Sequence, residues 1–153
     1  MPAQTAPLPA STIALLDSAL ATELVGALRC KQHHYAASSL GADKVAANFA
    51  EQAKQCMRHA DAIATRIVQL GGQPDFCPDR LAIRSFTAYA ERDSVGDMLR
   101  DNLATERARA DSYRALLHQL GDTDFATSRL LEALLAAGQG RPQELAWLLD
   151  NPA

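Results

Sequence analysis

The stretch Leu99–Leu120, LRDNLATERARADSYRALLHQL, decides the fold. Read in alternating steps of four and three, it puts Leu99, Leu103, Glu106, Ala110, Tyr113, Leu117 and Leu120 on one helix face, because those steps keep side chains in a single stripe. One member of that stripe is a carboxylate. Burying a carboxylate is costly unless a cation or donor compensates. The stripe therefore reads as a core face with a polar group built into its middle.

Three other segments repeat the pattern. Leu16, Leu20, Glu23, Ala27, Cys30 and His34 form one stripe. Val45, Phe49, Gln52, Cys56, His59 and Ile63 form a second, which resumes at Leu70 after Arg66 interrupts it. Thr127, Leu131, Leu134, Gly138, Arg141, Leu145 and Leu148 form the last. Each stripe carries polar residues midway, so Glu23, His59 and Glu106 are expected to face one another across a polar or metal-bearing centre. The competing reading of these three is a buried hydrogen-bonded network without metal.

Punctuation between the stripes gives the topology. Residues 1–10 hold three prolines and read as a flexible N-terminal arm, with Ser11 placed to cap the first helix. Gly41 and Asp43 mark a short turn, so the first two helices should be antiparallel neighbours. Gly71 and Gly72 end the second helix, and a long connection follows from Gln73 to Asp93. A chain of roughly 20 residues reaches up to about 66 Å, enough to cross a helix about 42 Å long and start the third helix parallel to the second. Ser94 and Asp97 open the third helix, and Gly121 stops it. Gly138, Gly140 and Pro142 predict a kink or break midway along the fourth, since proline in a helix interior costs about 3 kcal/mol. The expectation is an all-α, four-helix bundle over residues 11–150 with one long crossover between helices 2 and 3.

A chain of 153 residues suits one domain with a sizeable core, and its net charge of −3 offers no polybasic surface for a nucleic acid. No Lys or Arg precedes Arg29, and no uninterrupted apolar run of about 18 residues occurs. A cytoplasmic protein with no membrane span and no nucleic-acid partner is expected. Cys30, Cys56 and Cys77 are too few and too irregular for a secreted disulfide framework. Buried thiols are the simplest reading of Cys30 and Cys56, ahead of a redox pair or a thiolate ligand. Cys77 falls in the connection.

Bundles of this topology hold two iron ions with a lone Glu from each of two helices and a Glu-x-x-His pair from each of the others. Glu23 and Glu106 fill the lone-Glu places, and Cys56-Met57-Arg58-His59 keeps the His of a pair while Cys replaces its Glu. With Ala21-Thr22-Glu23-Leu24-Val25, Met57-Arg58-His59-Ala60-Asp61, the run Arg66–Phe76, Asp97-Met98-Leu99-Arg100, Asn102-Leu103-Ala104-Thr105-Glu106 and Leu130-Leu131-Glu132, the chain resembles the ferritin-like superfamily from Leu15 to Asp150, in particular its bacterioferritin and Dps-like branch. The resemblance carries the family's six ferroxidase ligands onto Glu23, Cys56, His59, Glu106, Gly138 and Arg141. Anchoring on Trp147 with an insertion would instead bring Glu144 toward the last position. Neither alignment restores the second Glu-x-x-His pair.

What the resemblance implies is iron binding in storage and homeostasis, with the replaced half of the ligands counting against ferroxidase activity. Two ferrous ions bring four positive charges and meet two carboxylates, so one weak iron site or none is expected, drawing on Glu23, His59, Glu106 and Cys56. Arg141 is expected either to pair with Glu23 or Glu106 in place of metal or to swing out to solvent at the Pro142 kink. Met57 matches the haem-ligand methionine of haem-binding bacterioferritins but reads more simply as packing, so haem is not expected. His33 and His34 are expected to be hydrogen-bonded or interface residues and His118 a surface one. Glu51 and Gln52 should border the centre, and Arg107, Arg109, Asp111 and Arg114 should form a solvated or intersubunit face. A homo-oligomer is implied, as a dimer or a dodecameric shell, with an active paralogue as a possible companion. The alternatives are a metal-free structural or interaction subunit of a ferritin-like assembly and a thiol-based redox protein using Cys30 and Cys56.

Overall fold

A computed structural model describes residues 9–151. Six helices follow one another: α1 (Pro9–Ser39), α2 (Asp43–Gln69), α3 (Pro78–Arg84), α4 (Val95–Leu120), α5 (Phe125–Ala137) and α6 (Arg141–Asp150). Helices α1, α2 and α4 are three members of a four-helix bundle, and α5 with α6 forms the fourth, broken near its middle as expected. Most of the arm assigned to residues 1–10 lies outside the described residues. The helix is already running at Pro9, so Ser11 sits within its first turn and does not cap it.

Helix termini follow the local chemistry. Gly41, at φ 77°, turns the chain between α1 and α2, and the Ser94 hydroxyl accepts from the Asp97 amide at 3.1 Å to start α4. Asp124 caps α5 in the same way, accepting from the Thr127 amide at 3.0 Å. Its carboxylate also holds Arg66 at 3.0 Å, which tethers α2 to the start of α5.

The connection between α2 and α4 contains a short helix the sequence reading left as loop. Pro78 opens it at a position where a missing N–H costs nothing, and Asp79 sits in its first turn. Anchors run from this crossover onto α1: Thr22 Oγ1 accepts from the Phe86 amide at 2.8 Å, Arg29 Nη1 donates to the Ala88 carbonyl at 3.1 Å, and Arg84 Nη1 donates to the Asp17 carbonyl at 3.0 Å. Covered by bundle on one side and crossover on the other, α1 is buried without interruption from Ala19 to Ala27. By length and composition Ser11–Ser39 could cross a membrane, but 61% of its most apolar window is buried inside the bundle, which accounts for its apolarity.

Two apolar clusters flank a polar middle. One gathers Leu16, Leu20, Ile63, Ile67, Tyr113 and Leu131 at one end; the other gathers Phe49, Met98, Leu99, Leu145 and Leu148 at the opposite end. The stripe of α2 from Val45 to Ile63 is buried as expected, with Ile67 buried in the place expected of half-buried Leu70, and the stripe of α5–α6 is buried apart from half-buried Gly138. On α4 the buried set is Met98, Leu99, Asn102, Glu106, Arg109, Tyr113, Leu116 and Leu120. The helix has rolled to the other flank of the expected stripe, so Asn102, Arg109 and Leu116 face inward where Leu103, Ala110 and Leu117 were expected. On α1 the same roll buries His33 completely and leaves His34 half-buried. A 3.6-residue period fits three-then-four as well as four-then-three, and only packing selects between them.

Candidate functional site

Glu23 from α1, His59 from α2 and Glu106 from α4 point into the polar middle, each under 10% exposed. Their centre is Arg109. Its Nε and Nη2 donate to Glu23 Oε1 at 2.8 and 2.6 Å, and Nη2 also donates to His59 Nδ1 at 3.1 Å. The Tyr113 hydroxyl donates to the same carboxylate oxygen at 2.8 Å, and the Tyr113 ring lies 4.7 Å below the guanidinium carbon. Arg109 and Tyr113 are one helical turn apart, so the ring supports the cation that its hydroxyl helps to neutralise. Expecting Arg109 on a solvated face was wrong, because the roll of α4 buries it. Arg107, Asp111 and Arg114 of the same run are exposed.

The fourth helix breaks beside this cluster. Gly140 adopts φ 85°, a conformation that favours glycine, and Pro142 follows in the first turn of α6. The new helix axis does not carry Arg141 to solvent. Arg141 Nη1 donates to Glu106 Oε1 at 2.9 Å, with both side chains 7% exposed. At Gly138 a Cβ would stand 3.3 Å from Arg109 Nη1 and 3.8 Å from Glu106 Oε2. A cleft of about 700 Å³ opens there, lined by Glu106, Arg107, Arg109, Arg114, Gly138 and Pro142 among others.

Electrostatics follow from these pairings. Burial by itself would raise the Glu23 pKa, but its contacts with His59 (3.6 Å), Arg109 and Tyr113 outweigh burial and hold the carboxyl at about 2. Burial favours the neutral form of Arg109, yet the adjacent Glu23 keeps it more firmly protonated than usual. Burial and the Glu23 charge push the Tyr113 phenol well up, so it remains a donor.

Cys56 lies on the other side of the centre, against α1. The neighbouring Cys30 and burial push its thiol pKa well up, while the influence of Cys56 draws that of Cys30 down against its own burial. Cys30 Sγ also approaches Gln52 Oε1 at 3.9 Å, and that oxygen accepts from Asn102 Nδ2 at 2.7 Å. Gln52 Nε2 donates to Asn48 Oδ1, and Asn48 Nδ2 donates to Glu144 Oε1 at 2.8 Å. Gln52 thus borders the centre as expected. Glu51 does not, since it is exposed and pairs with Arg58 at 3.3 Å. Glu144 is exposed at the outer end of this ladder, away from the ligand place that the alternative alignment offered it.

The histidines outside the centre are hydrogen-bonded. His33 Nε2 lies 3.1 Å from the Ala90 carbonyl, and His34 Nδ1 lies 2.7 Å from the Ala46 carbonyl. His118 is exposed, and Met57 is 42% exposed on the outer side of α2.

The structure therefore joins Glu23 to His59 through Arg109 and places Glu106 beside them with its own arginine. Among the described residues, no group of three or more His, Cys, Asp or Glu side chains is disposed to hold a metal ion. Arg109 is the central residue the sequence reading missed. Its signal was available, because it stands one turn after Glu106 and a helical i+3 neighbour of an inward carboxylate shares its face.

A family model described as the ferritin-like domain matches residues 13–151. Among curated proteins, none matches significantly. Solved structures of similar fold include the dodecameric thioferritin of Bacteroides fragilis, a bacterioferritin-related protein, with a TM-score of 0.80 and 22% identity over 94% of this chain and 86% of that one. Rhodobacter capsulatus bacterioferritin, described with a metal-free dinuclear site and haem iron, gives a TM-score of 0.81 and 23% identity over 92% of this chain and 84% of that one. Desulfovibrio desulfuricans bacterioferritin, studied for its diiron site in different catalytic states, gives 0.80 and 25% identity over 93% and 80%. The chain belongs to the ferritin-like family, with bacterioferritins among its structural relatives.

Proposed function

We propose that this chain serves iron storage and homeostasis as a subunit of a cytoplasmic, ferritin-like homo-oligomer, and that its own bundle centre does not carry di-iron oxidation. The observation behind this reading is the matching of each inward carboxylate with its own arginine, Glu23 with Arg109 and Glu106 with Arg141. The charges of the centre already cancel. Two ferrous ions would add four positive charges to a site with no carboxylate left to offset them, in surroundings where uncompensated charge is heavily penalised.

The remaining candidate donors fit a di-iron pair no better. His59 Nδ1 is engaged by the Arg109 guanidinium at 3.1 Å. Cys56 would have to give up its proton to ligate metal, against the Cys30 contact and the burial that push its thiol pKa up. Gly138 has no side chain, and Arg141 is a cation. Glu23, His59, Glu106 and Cys56 on this reading form a structural polar core, in which arginines supply the positive charge that metal ions supply elsewhere in the family. Iron handling by the assembly would then depend on other surfaces of the shell or on a co-assembled active paralogue.

Anaerobic ferrous titration followed by exposure to oxygen tests the proposal. The expected result is no ferric absorbance saturating at two irons per subunit, alongside a solution mass well above that of the monomer. Rapid ferric absorbance at that stoichiometry would overturn it.

A further inference from the structure

Cys30 plays no part in the reading above, and the fold brings it beside Cys56 of the polar core. They lie on the facing helices α1 and α2, are 1% and 5% exposed, and are free thiols. Gly26, one turn before Cys30 on α1, leaves open the space against which the Cys56 sulfur rests; a Cβ there would stand 3.3 Å from Cys56 Sγ. Cys56 thus faces α1 one turn from Cys30, and Cys30 faces α2 at Gln52, one turn from Cys56, which makes the two thiols diagonal neighbours across the α1–α2 contact. Cys30 Sγ also lies 3.9 Å from Gln52 Oε1, and Gln52 lines a cleft of about 390 Å³ shared with Arg141 and Glu144. A small uncharged molecule entering that cleft therefore comes within one side chain of Cys30. Cys77 stands apart, before the first turn of α3.

We propose that Cys30 and Cys56 form a peroxide-reactive dithiol, oxidised by hydrogen peroxide to an intramolecular disulfide that joins α1 to α2. The Cys30 sulfur attacks one peroxide oxygen and the O–O bond breaks. The departing oxygen leaves as water with the thiol proton, and Cys30 becomes a sulfenic acid. The Cys56 sulfur then attacks the Cys30 sulfur, the S–O bond breaks, and a second water leaves with the Cys56 proton. The sulfur pair loses two electrons and the peroxide gains two. Cys30 reacts first because its sulfur touches Gln52, a wall of that cleft, and Cys56, one turn after Gln52 on α2, resolves the sulfenic acid.

The test uses the full-length protein in its native assembly, treated with a small excess of hydrogen peroxide and then unfolded for thiol counting. The expected result is loss of two of the three titratable thiols, a Cys30–Cys56 crosslink in a non-reducing peptide map, and return of all three thiols with dithiothreitol. In Cys56→Ser, Cys30 stops at the sulfenic acid and takes up one equivalent of a 1,3-dione probe. Three thiols persisting after peroxide would overturn the proposal, as would a disulfide to Cys77 or between two chains. If Cys56→Ser fails to fold, the wild-type peptide map decides. Iron enters none of these readouts, so the outcome is separate from that of the ferrous titration.

Discussion

Arg109 grips Glu23 through a single carboxylate oxygen, Nε at 2.8 Å and Nη2 at 2.6 Å, in a pocket where Glu23 is 1% and Arg109 6% exposed. The pair joins α4 to α1 across the bundle, with Tyr113 as a third partner on the same oxygen. Replacing a buried pair as a unit is often nearly neutral, whereas removing one member leaves an uncompensated charge.

Arg109→Ala should therefore destabilise the protein by about 3–5 kcal/mol in chemical denaturation. The double variant Glu23→Gln/Arg109→Met should cost less than Arg109→Ala alone, since it strands no charge. A loss under about 1 kcal/mol for the single variant, the range of exposed pairs, would show that Glu23 is not sealed from water.

Acid should weaken the fold through Glu23. Its pKa falls from 4.5 in the unfolded chain to about 2 in the folded one, so the folded form holds the carboxylate more tightly as an anion. That contribution is present in full above pH 4.5, fades as the pH drops and is gone below about 2. Two and a half units correspond to about 3 kcal/mol. Glu23→Gln should flatten the stability-versus-pH curve across this window, and an unchanged slope would refute the assignment.

Rebuilding the family's ligand set should fail while Arg109 remains. In Cys56→Glu/Gly138→Glu/Arg141→His, the new side chain at position 138 emerges 3.3 Å from Arg109 Nη1, and its carboxylate should pair with that cation instead of metal. Adding Arg109→Leu should allow ferrous ions to bind in anaerobic titration. Equal iron loading with and without Arg109 would show that the arginine is not what keeps metal out.

At the break in the fourth helix, Gly140→Ala should cost about 1–2 kcal/mol, the penalty for an L-residue in the left-handed region. The loss should register as a lowered denaturation midpoint with an unchanged slope. An equally stable variant would mean that the α5–α6 junction can adopt another turn.

Much of the bundle was legible because apolar periodicity is local. The stripes through Val45–Ile63 and Thr127–Leu148 correspond to buried faces, and Gly138, Gly140 and Pro142 mark where the fourth helix breaks. The short α3 escaped notice because seven residues with few apolar neighbours carry no readable period.

By itself the sequence determined that carboxylates and a histidine from separate helices would be turned inward, since burial of one face follows from the 3.6-residue repeat and the cost of exposing apolar stripes. Tertiary packing alone decided which arginines accompany them. Whether Arg109 or Ala110 faces the core depends on a roll of one flank on α4. Whether Arg141 meets Glu106 or solvent depends on the angle at which α6 leaves Gly140. Both are settled by contacts between residues 35 to 86 positions apart in the chain, where local spacing carries no information.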